Sequence, residues 1–446
     1  MIWSTPLRRI SPLLNLLHFS KRTLHASQIP RGAQGVRWLQ PAGAGAKQME
    51  SFHRMGAFHY TICMGVLTAE PLRTEDLQRA LVHLYNKIQT LRTCFRYRDG
   101  ELWICEMERR KIDFQEVSGD NLIEEVTALL NCTYTHNEDG PLWRARLMRG
   151  QITPTHECHP GFPHQSTLLI SFHHGISDGN VVAYIFVALF KILEEVIGGA
   201  SVDDEEQVGC IASDEQTLSL KNEIREYLEE HPDEVEKFAE RNLQSEFTPL
   251  LYKAFGFPED PQPTTRYLMS SLESPTLWKF YEKCKGAGVT FNSGFILAVN
   301  TALVELAREA GVEVGDAVGI RSRQTLNLRR YWGKEKTVSF GCHIGRIVQT
   351  IDTPQYNKDT FWDHARKLDA DMREKVRSKH VLKEEVVREM KHVQETALRG
   401  DAPVPIDCDY AISNTFVPGT FDAWRTTGMS GEACSHPSLR WSSRPT

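Results

Sequence analysis

The chain has no cysteine pairing pattern. Its ten cysteines, at positions 63, 94, 105, 132, 158, 210, 284, 342, 408 and 434, are scattered, and no two form a C-x-x-C pair. In 446 residues this spacing excludes a compact disulfide framework and points to free, mostly buried thiols in a reducing compartment. Also missing is any run of the ~18 consecutive apolar residues that a membrane span needs. The most apolar helical stretch, Val181 to Leu193, carries Lys191 and reads as a core helix. Basic excess is absent too: the net charge is −6, and no basic stripe with interleaved aromatics occurs. That argues against nucleic-acid binding. The glycine-rich AGAGAKQ, Ala42 to Gln48, lacks the Gly-Lys-Ser/Thr of a phosphate loop.

Acidic residues are missing from the first 49 positions, which carry Arg8, Arg9, Lys21, Arg22, Arg31, Arg37 and Lys47 among Ser and Leu. Such a leader has the composition of a mitochondrial transit peptide. SPLLNLLHF is too short, and too closely followed by Lys21 and Arg22, for a secretory signal. The alternatives are a disordered basic tail or a spurious extension of the gene, with a cytoplasmic location.

What is present is an alternation of strand and helix patterns in two halves. FHYTICMGVL suits a strand by its aromatic and branched residues. Leu77, Ala80, Leu81, Leu84, Ile88 and Leu91 recur at helical spacing behind Thr74, the expected N-cap. RTCFRYRDGELWICEM predicts a hairpin turning at Asp99-Gly100. A helix over 121–130, a strand over 142–148 and a strand over 167–172 follow. Residues 201–242 are crowded with acids and predict a solvated, partly helical connection. Beyond it, TRYLMSSLE, AVGIRSRQTLNL, SFGCHIGRIVQTI and DCDYAISNTFV read as strands. The stretches from Ser274, from Phe291 and over 361–398 read as helices. Ser274 is the expected cap of the first, and Gly286 or Gly288 its stop.

Between the strand over 167–172 and the core helix lies HHGISDG, residues 173–179. A strand end meeting a helix start is a place where polar side chains are held rigidly. A histidine there can serve as a general base near neutral pH. The plainer account has Asp178 capping the helix, Gly179 easing the bend, and His173 and His174 satisfied by backbone carbonyls. The residues alone leave both accounts open.

HHGISDG matches the HHxxxDG signature, and the chain resembles the chloramphenicol acetyltransferase-like, condensation-domain superfamily of acyltransferases. Further stretches of similarity follow in family order: LQRALVHLYNKIQTLRTCF, PLWRARLM, GVTFNSGFILAVNTAL, TLNLRR and SFGCHIG. They cover roughly residues 48–420, and the likeness is closest to the alcohol acetyltransferase and condensation branch. The resemblance implies an α/β fold of two chloramphenicol acetyltransferase-like subdomains with the active-site tunnel between them. Composition sets off a basic leader or disordered segment at 1–47 and an acidic linker at 201–262, and the resemblance places an N-terminal subdomain at 48–200 and a C-terminal one at 263–446.

By the same resemblance His174 is the catalytic base. It takes a proton from an alcohol or amine acceptor as that group attacks an acyl thioester, with acyl-CoA as co-substrate. A carrier-protein-bound thioester is the alternative donor, and a non-catalytic binding protein retaining the fold is the rival outside enzymes. His173 is structural, Gly179 allows the bend, and Asp178 pairs with Arg329 of the second half, Arg330 being the neighbouring candidate. Ser413 and Asn414 resemble a Ser-Asn that could stabilise an oxyanion or touch substrate. No metal or redox cofactor is implied. Two departures stand out: a DFGWG-like sequence is absent, and the polar final residues suggest a truncated second subdomain.

Two other clusters read as bland. HECHPGFPH, residues 156–164, matches no standard zinc spacing and predicts a loop. Cys342 and His343 are neighbours in an expected strand, where successive side chains face opposite ways, so they should not form a nucleophile pair.

Overall fold

A computed structural model describes residues 35–56, 59–119, 121–134, 140–149, 162–243, 247–256, 265–270, 272, 274–333, 338–391 and 408–413. The first half opens with β1 (Val36–Pro41), α1 (Ala44–Arg54) and β2 (His59–Thr68). It continues through α2 (Thr74–Lys87), β3 (Thr93–Arg98), β4 (Glu101–Met107) and β5 (Phe114–Val117). Then come α3 (Leu122–Asn131), β6 (Trp143–Arg149), β7 (His164–His173) and α4 (Gly179–Ile197).

The sheet that matters has the order β2-β7-β6-β5. Strand β7 lies inside it, antiparallel to β2 and β6, with His59 opposite His173 and Trp143 opposite Phe172. Alternation along β7 sends Leu168, Ile170 and Phe172 to one face and Leu169, Ser171 and His173 to the other. The first set joins the main core beneath α2 and α4, with Leu77, Leu81, Leu84, Val181, Ile185 and Leu189. Leu169 packs instead with Leu122, Val126 and Leu129 of α3. Both faces are thus covered, which is why β7 reads as a nearly unbroken apolar run. Each such buried aliphatic side chain stabilises by about 1.5–3 kcal/mol before entropy is counted. Helix α4 is apolar on most sides because it is largely enclosed. Among the described residues no single helix is long and apolar enough to cross a membrane.

The second half begins with β8 (Cys210–Ile211), α5 (Glu215–Glu230), α6 (Pro232–Asn242) and α7 (Leu250–Phe255). It proceeds through α8 (Ser274–Gly286), α9 (Phe291–Glu309), β9 (Ala317–Asn327) and β10 (Ser339–Phe340). It ends with β11 (Ile344–Pro354), α10 (Phe361–Arg377), α11 (His380–Met390) and β12 (Tyr410–Ile412). Its sheet has the order β11-β9-β12: β9 and β11 pair antiparallel along their whole length, and β12 runs parallel to β9.

Several sequence expectations give way here. Residues 36–47, assigned to the leader, contain β1, which pairs with β4, and the start of α1. Arg37 and Lys47 are tied to Glu106 and Glu101. The acidic stretch is partly helical as expected but is not simply solvated: Leu228 and Val235 share a buried cluster with Val386 and Val387 of α11. Its acids Glu234 and Glu236 pair with Lys383 and Lys391. Thr74 is the first helical residue rather than the cap; Arg73 occupies the cap position. The described part of TRYLMSSLE forms no strand. SFGCHIGRIVQTI is two strands, not one, with Gly341, Cys342 and His343 between them. Of HECHPGFPH, residues 156–161 lie outside the described residues.

The halves are stitched together beside β7. Phe340 of β10 enters the first half's main core. Cys342 packs against Met49 and Phe52 of α1. A side chain at Gly45 would collide with the Cys342 carbonyl, so this glycine permits the close approach of α1.

Candidate active site

Strand β7 delivers His173 fully buried, and the chain then turns through a single 3-10 turn, His174–Ile176, into α4. The two histidines part there. His173 Nδ1 accepts from the Gly175 N–H (3.0 Å), so its proton sits on Nε2 and is donated to Glu50 Oε2 (2.9 Å). Glu50 is itself buried and bound by Arg54 Nε at 2.9 Å. The rings of His53 and His173 lie 4.5 Å apart, and His53 Nε2 accepts from the Tyr134 N–H. Both nitrogens of His173 are thus engaged, one of them by a carboxylate of α1.

His174 is only partly buried. Its Nδ1 lies 3.6 Å from the Cys342 sulfur, and its ring lies 4.7 Å from that of Tyr60. The Tyr60 hydroxyl is hydrogen-bonded to Ser177 Oγ, and burial pushes this phenol well above its ordinary range. Burial pulls the His174 pKa below 6.5; the backbone oxygens of His174 and Ser177 and the charge of Asp178 oppose that shift. The imidazole is therefore neutral near pH 7 and able to accept a proton.

Asp178 performs two tasks at once, because it has two carboxylate oxygens. Oδ1 caps α4, accepting from the N–H groups of Asn180 and Val181 at 3.1 Å each. Oδ2 accepts from Arg329 Nη1 (2.7 Å) and from the His343 N–H (3.0 Å). Arg329 further donates to the carbonyls of Ser339 (3.0 Å, from Nε) and Gly341 (2.9 Å, from Nη2). Arg330 is exposed, so Arg329 is the partner. Asp178 therefore both caps α4 and pairs with Arg329, while His173 is held by Glu50 and the Gly175 N–H rather than by backbone carbonyls. Gly179 begins α4 and is exposed.

Of the residues flanking the arginine clamp, sequence reasoning weighed Cys342 and His343 only as a nucleophile pair and did not single out Asp214. His343 is buried, its Nδ1 3.5 Å from Asp214 Oδ1 and its ring edge-on to Trp332 at 4.7 Å. Burial and the nearby Arg329 charge lower its pKa. Asp214 Oδ2 in turn accepts from the Ala44 N–H at the start of α1 (2.6 Å). Cys342, expected to face away from its neighbour His343, lies beside His174, and Gly341–His343 is not strand. Glu50 could have been found by spacing: Ala46, Met49, Glu50 and His53 share one helical face. Ser413 follows β12 and is exposed, whereas Asn414 lies outside the described residues. Among the described residues no group of three or more His, Cys, Asp or Glu is placed to hold a metal ion.

No family model matches the chain, and no curated protein matches it. Solved structures do. The epimerization domain from the third module of tyrocidine synthetase B superposes with a TM-score of 0.56 at 13% identity, covering 85% of this chain and 82% of that one. The condensation domain from Monacolin K polyketide synthase MokA gives 0.55 at 15% identity, covering 80% and 77%. The first condensation domain of the CDA synthetase gives 0.52 at 12%, covering 76% of each. The chain has the two-subdomain, chloramphenicol acetyltransferase-like fold of condensation domains.

Proposed function

We propose that this protein is a condensation-type acyltransferase, with His174 as the general base at the junction of the two halves. The observation that carries the reading is the placement of His174. It is a neutral, partly accessible imidazole, held on a loop that Asp178 and Arg329 lock to the opposite half. In the reaction, the acceptor O–H or N–H gives its proton to His174 as the oxygen or nitrogen attacks the thioester carbonyl. A new C–O or C–N bond forms, the C–S bond breaks, and the proton passes from the imidazolium to the departing thiolate. Base catalysis of this kind contributes about 10²–10⁴-fold. Holding the two substrates together supplies much of the remainder.

The donor is a carrier-bound thioester. That reading is supported by the condensation-domain neighbours, and it replaces free acyl-CoA as the first choice; acyl-CoA offers the same thioester chemistry and is the second. The discriminating experiment offers the protein an acyl-pantetheine thioester, acyl-CoA and an acylated carrier protein, each with the same panel of amines and alcohols. Product is read by mass spectrometry. The reading predicts that the carrier-bound donor is preferred and that His174→Ala abolishes product from every donor. Product from none of them, or equal product from the variant, overturns it.

A further inference from the structure

Building on the thioester-transfer reading, we propose that Arg323 and Arg346, with Arg321 behind them, form an anion site for the phosphate of a phosphopantetheine-borne acyl thioester. The three arginines share one face of the second half's sheet. In the antiparallel ladder of β9 and β11, Arg346 stands opposite Thr325, Arg323 opposite Val348 and Arg321 opposite Thr350. Residues directly opposite each other, and those two steps along a strand, point to the same side, so the guanidinium groups occupy successive rungs of one face. Arg321 Nε donates to Thr350 Oγ1 at 3.4 Å, in keeping with that register, and its guanidinium lies 4.4 Å from the Phe247 ring centroid.

This face is turned toward the first half. The other side of the sheet packs on helices: Ile320 joins Val304 and Ala307 of α9, and Ile347 joins Val381 and Leu382 of α11. On the arginine side, Ile344 packs with Met49 and Phe52 of α1, beside Cys342. Arg346 and Arg323 are half-buried there, Arg321 is buried, and Thr325 and Thr350 between them are exposed. Asp352 is the acid on the same face, one rung past Arg321. Cys342, beside His174, precedes Arg346 by four positions and Val348, the partner of Arg323, by six. At ~3.3 Å per residue those rungs lie within roughly 13 and 20 Å of it. A pantetheine arm has about thirteen bonds from sulfur to phosphorus, and a polypeptide of as many bonds extends to ~15 Å. An acyl sulfur held beside His174 therefore sets its phosphate between Arg346 and Arg323. The planar, permanently charged guanidinium fork suits that group.

The test is a binding comparison and needs no turnover. The probes are non-hydrolysable S-alkyl thioethers of pantetheine, of 4′-phosphopantetheine and of coenzyme A, with the same alkyl group, titrated calorimetrically. The wild type should bind the phosphopantetheine probe at least about tenfold more tightly than the pantetheine probe, the effect of one charge-assisted hydrogen bond. That preference should shrink in high salt. Arg323→Gln with Arg346→Gln should bring the two affinities together, and Arg323→Lys with Arg346→Lys should keep most of the difference. A coenzyme A probe equal to phosphopantetheine fits a carrier as the source of the phosphate; one bound a further tenfold more tightly keeps the site and makes coenzyme A its source. Equal wild-type affinities for the first two probes, no binding of either, or a preference that survives the double glutamine variant overturns the proposal. His174→Ala should keep the phosphate preference, so failure of the base leaves this result intact. Acyl transfer at equal efficiency from phosphorylated and unphosphorylated donors would remove the site while leaving acyl transfer standing.

Discussion

Replacing Arg329 by alanine tests how the halves are joined. The pair it forms with Asp178 is buried, with side-chain exposures of 11% and 2%. Removing one member of such a pair costs about 3–5 kcal/mol, because the carboxylate remains in the interior without its counter-charge. The Ser339 and Gly341 carbonyls lose their Arg329 donors at the same time. Asp178→Ala should cost more still, since it also removes the α4 cap, worth about 1 kcal/mol. A shape-preserving neutral pair, Asp178→Asn with Arg329→Met, should recover part of the loss. The assay is urea unfolding followed by tryptophan fluorescence; Trp332, whose ring lies 5.7 Å from the Arg329 guanidinium, reports locally. If Arg329→Ala stays within about 1 kcal/mol of wild type while Asp178→Ala falls sharply, the carboxylate is only a helix cap. The clamp argument then fails.

Three further outcomes follow from the same geometry. The rate should fall as pH drops through a midpoint below 6.5, since burial lowers the His174 pKa and protonation removes the base; a midpoint above 7 contradicts that assignment. Gly45→Ala should cost about 1–3 kcal/mol by denaturation, because its new Cβ meets the Cys342 carbonyl and α1 must shift. A wild-type unfolding midpoint would show that α1 does not press on this segment. Glu50→Ala should destabilise by about 1–3 kcal/mol through the unsatisfied His173 N–H, with Glu50→Gln losing less because it keeps an acceptor; equal losses would refute the hydrogen-bond account.

Much of this arrangement was legible because it rests on strong local patterns. Strand β7 and helix α4 are long apolar runs that the fold encloses, and the Asp99-Gly100 turn has both residues at positive φ, as its dipeptide predicts. The Asp178–Arg329 pair came from the resemblance, since 151 positions separate the two and no spacing argument links them. Helix α1 escaped notice because AGAGAKQ is small and weakly apolar, and its buried residues include Glu50 and His53 rather than aliphatics. The Cys342 contact was missed for a different reason. An unbroken strand was assumed across SFGCHIG, and one glycine at positive φ breaks it. The acidic stretch looked solvated because its charges outnumber its apolar residues, yet their partners on α11 lie some 150 positions away. Tertiary pairing of that kind leaves no mark on local composition.

The central claim is that His174 moves the proton in acyl transfer, and stopped-flow thiol release tests it most directly. Wild type and His174→Ala are mixed with the same acyl thioester and acceptor at pH 7.5, after their unfolding curves are shown to coincide. The account predicts a loss of about 10²–10⁴-fold in the variant. Equal thiol release from the two proteins would contradict it.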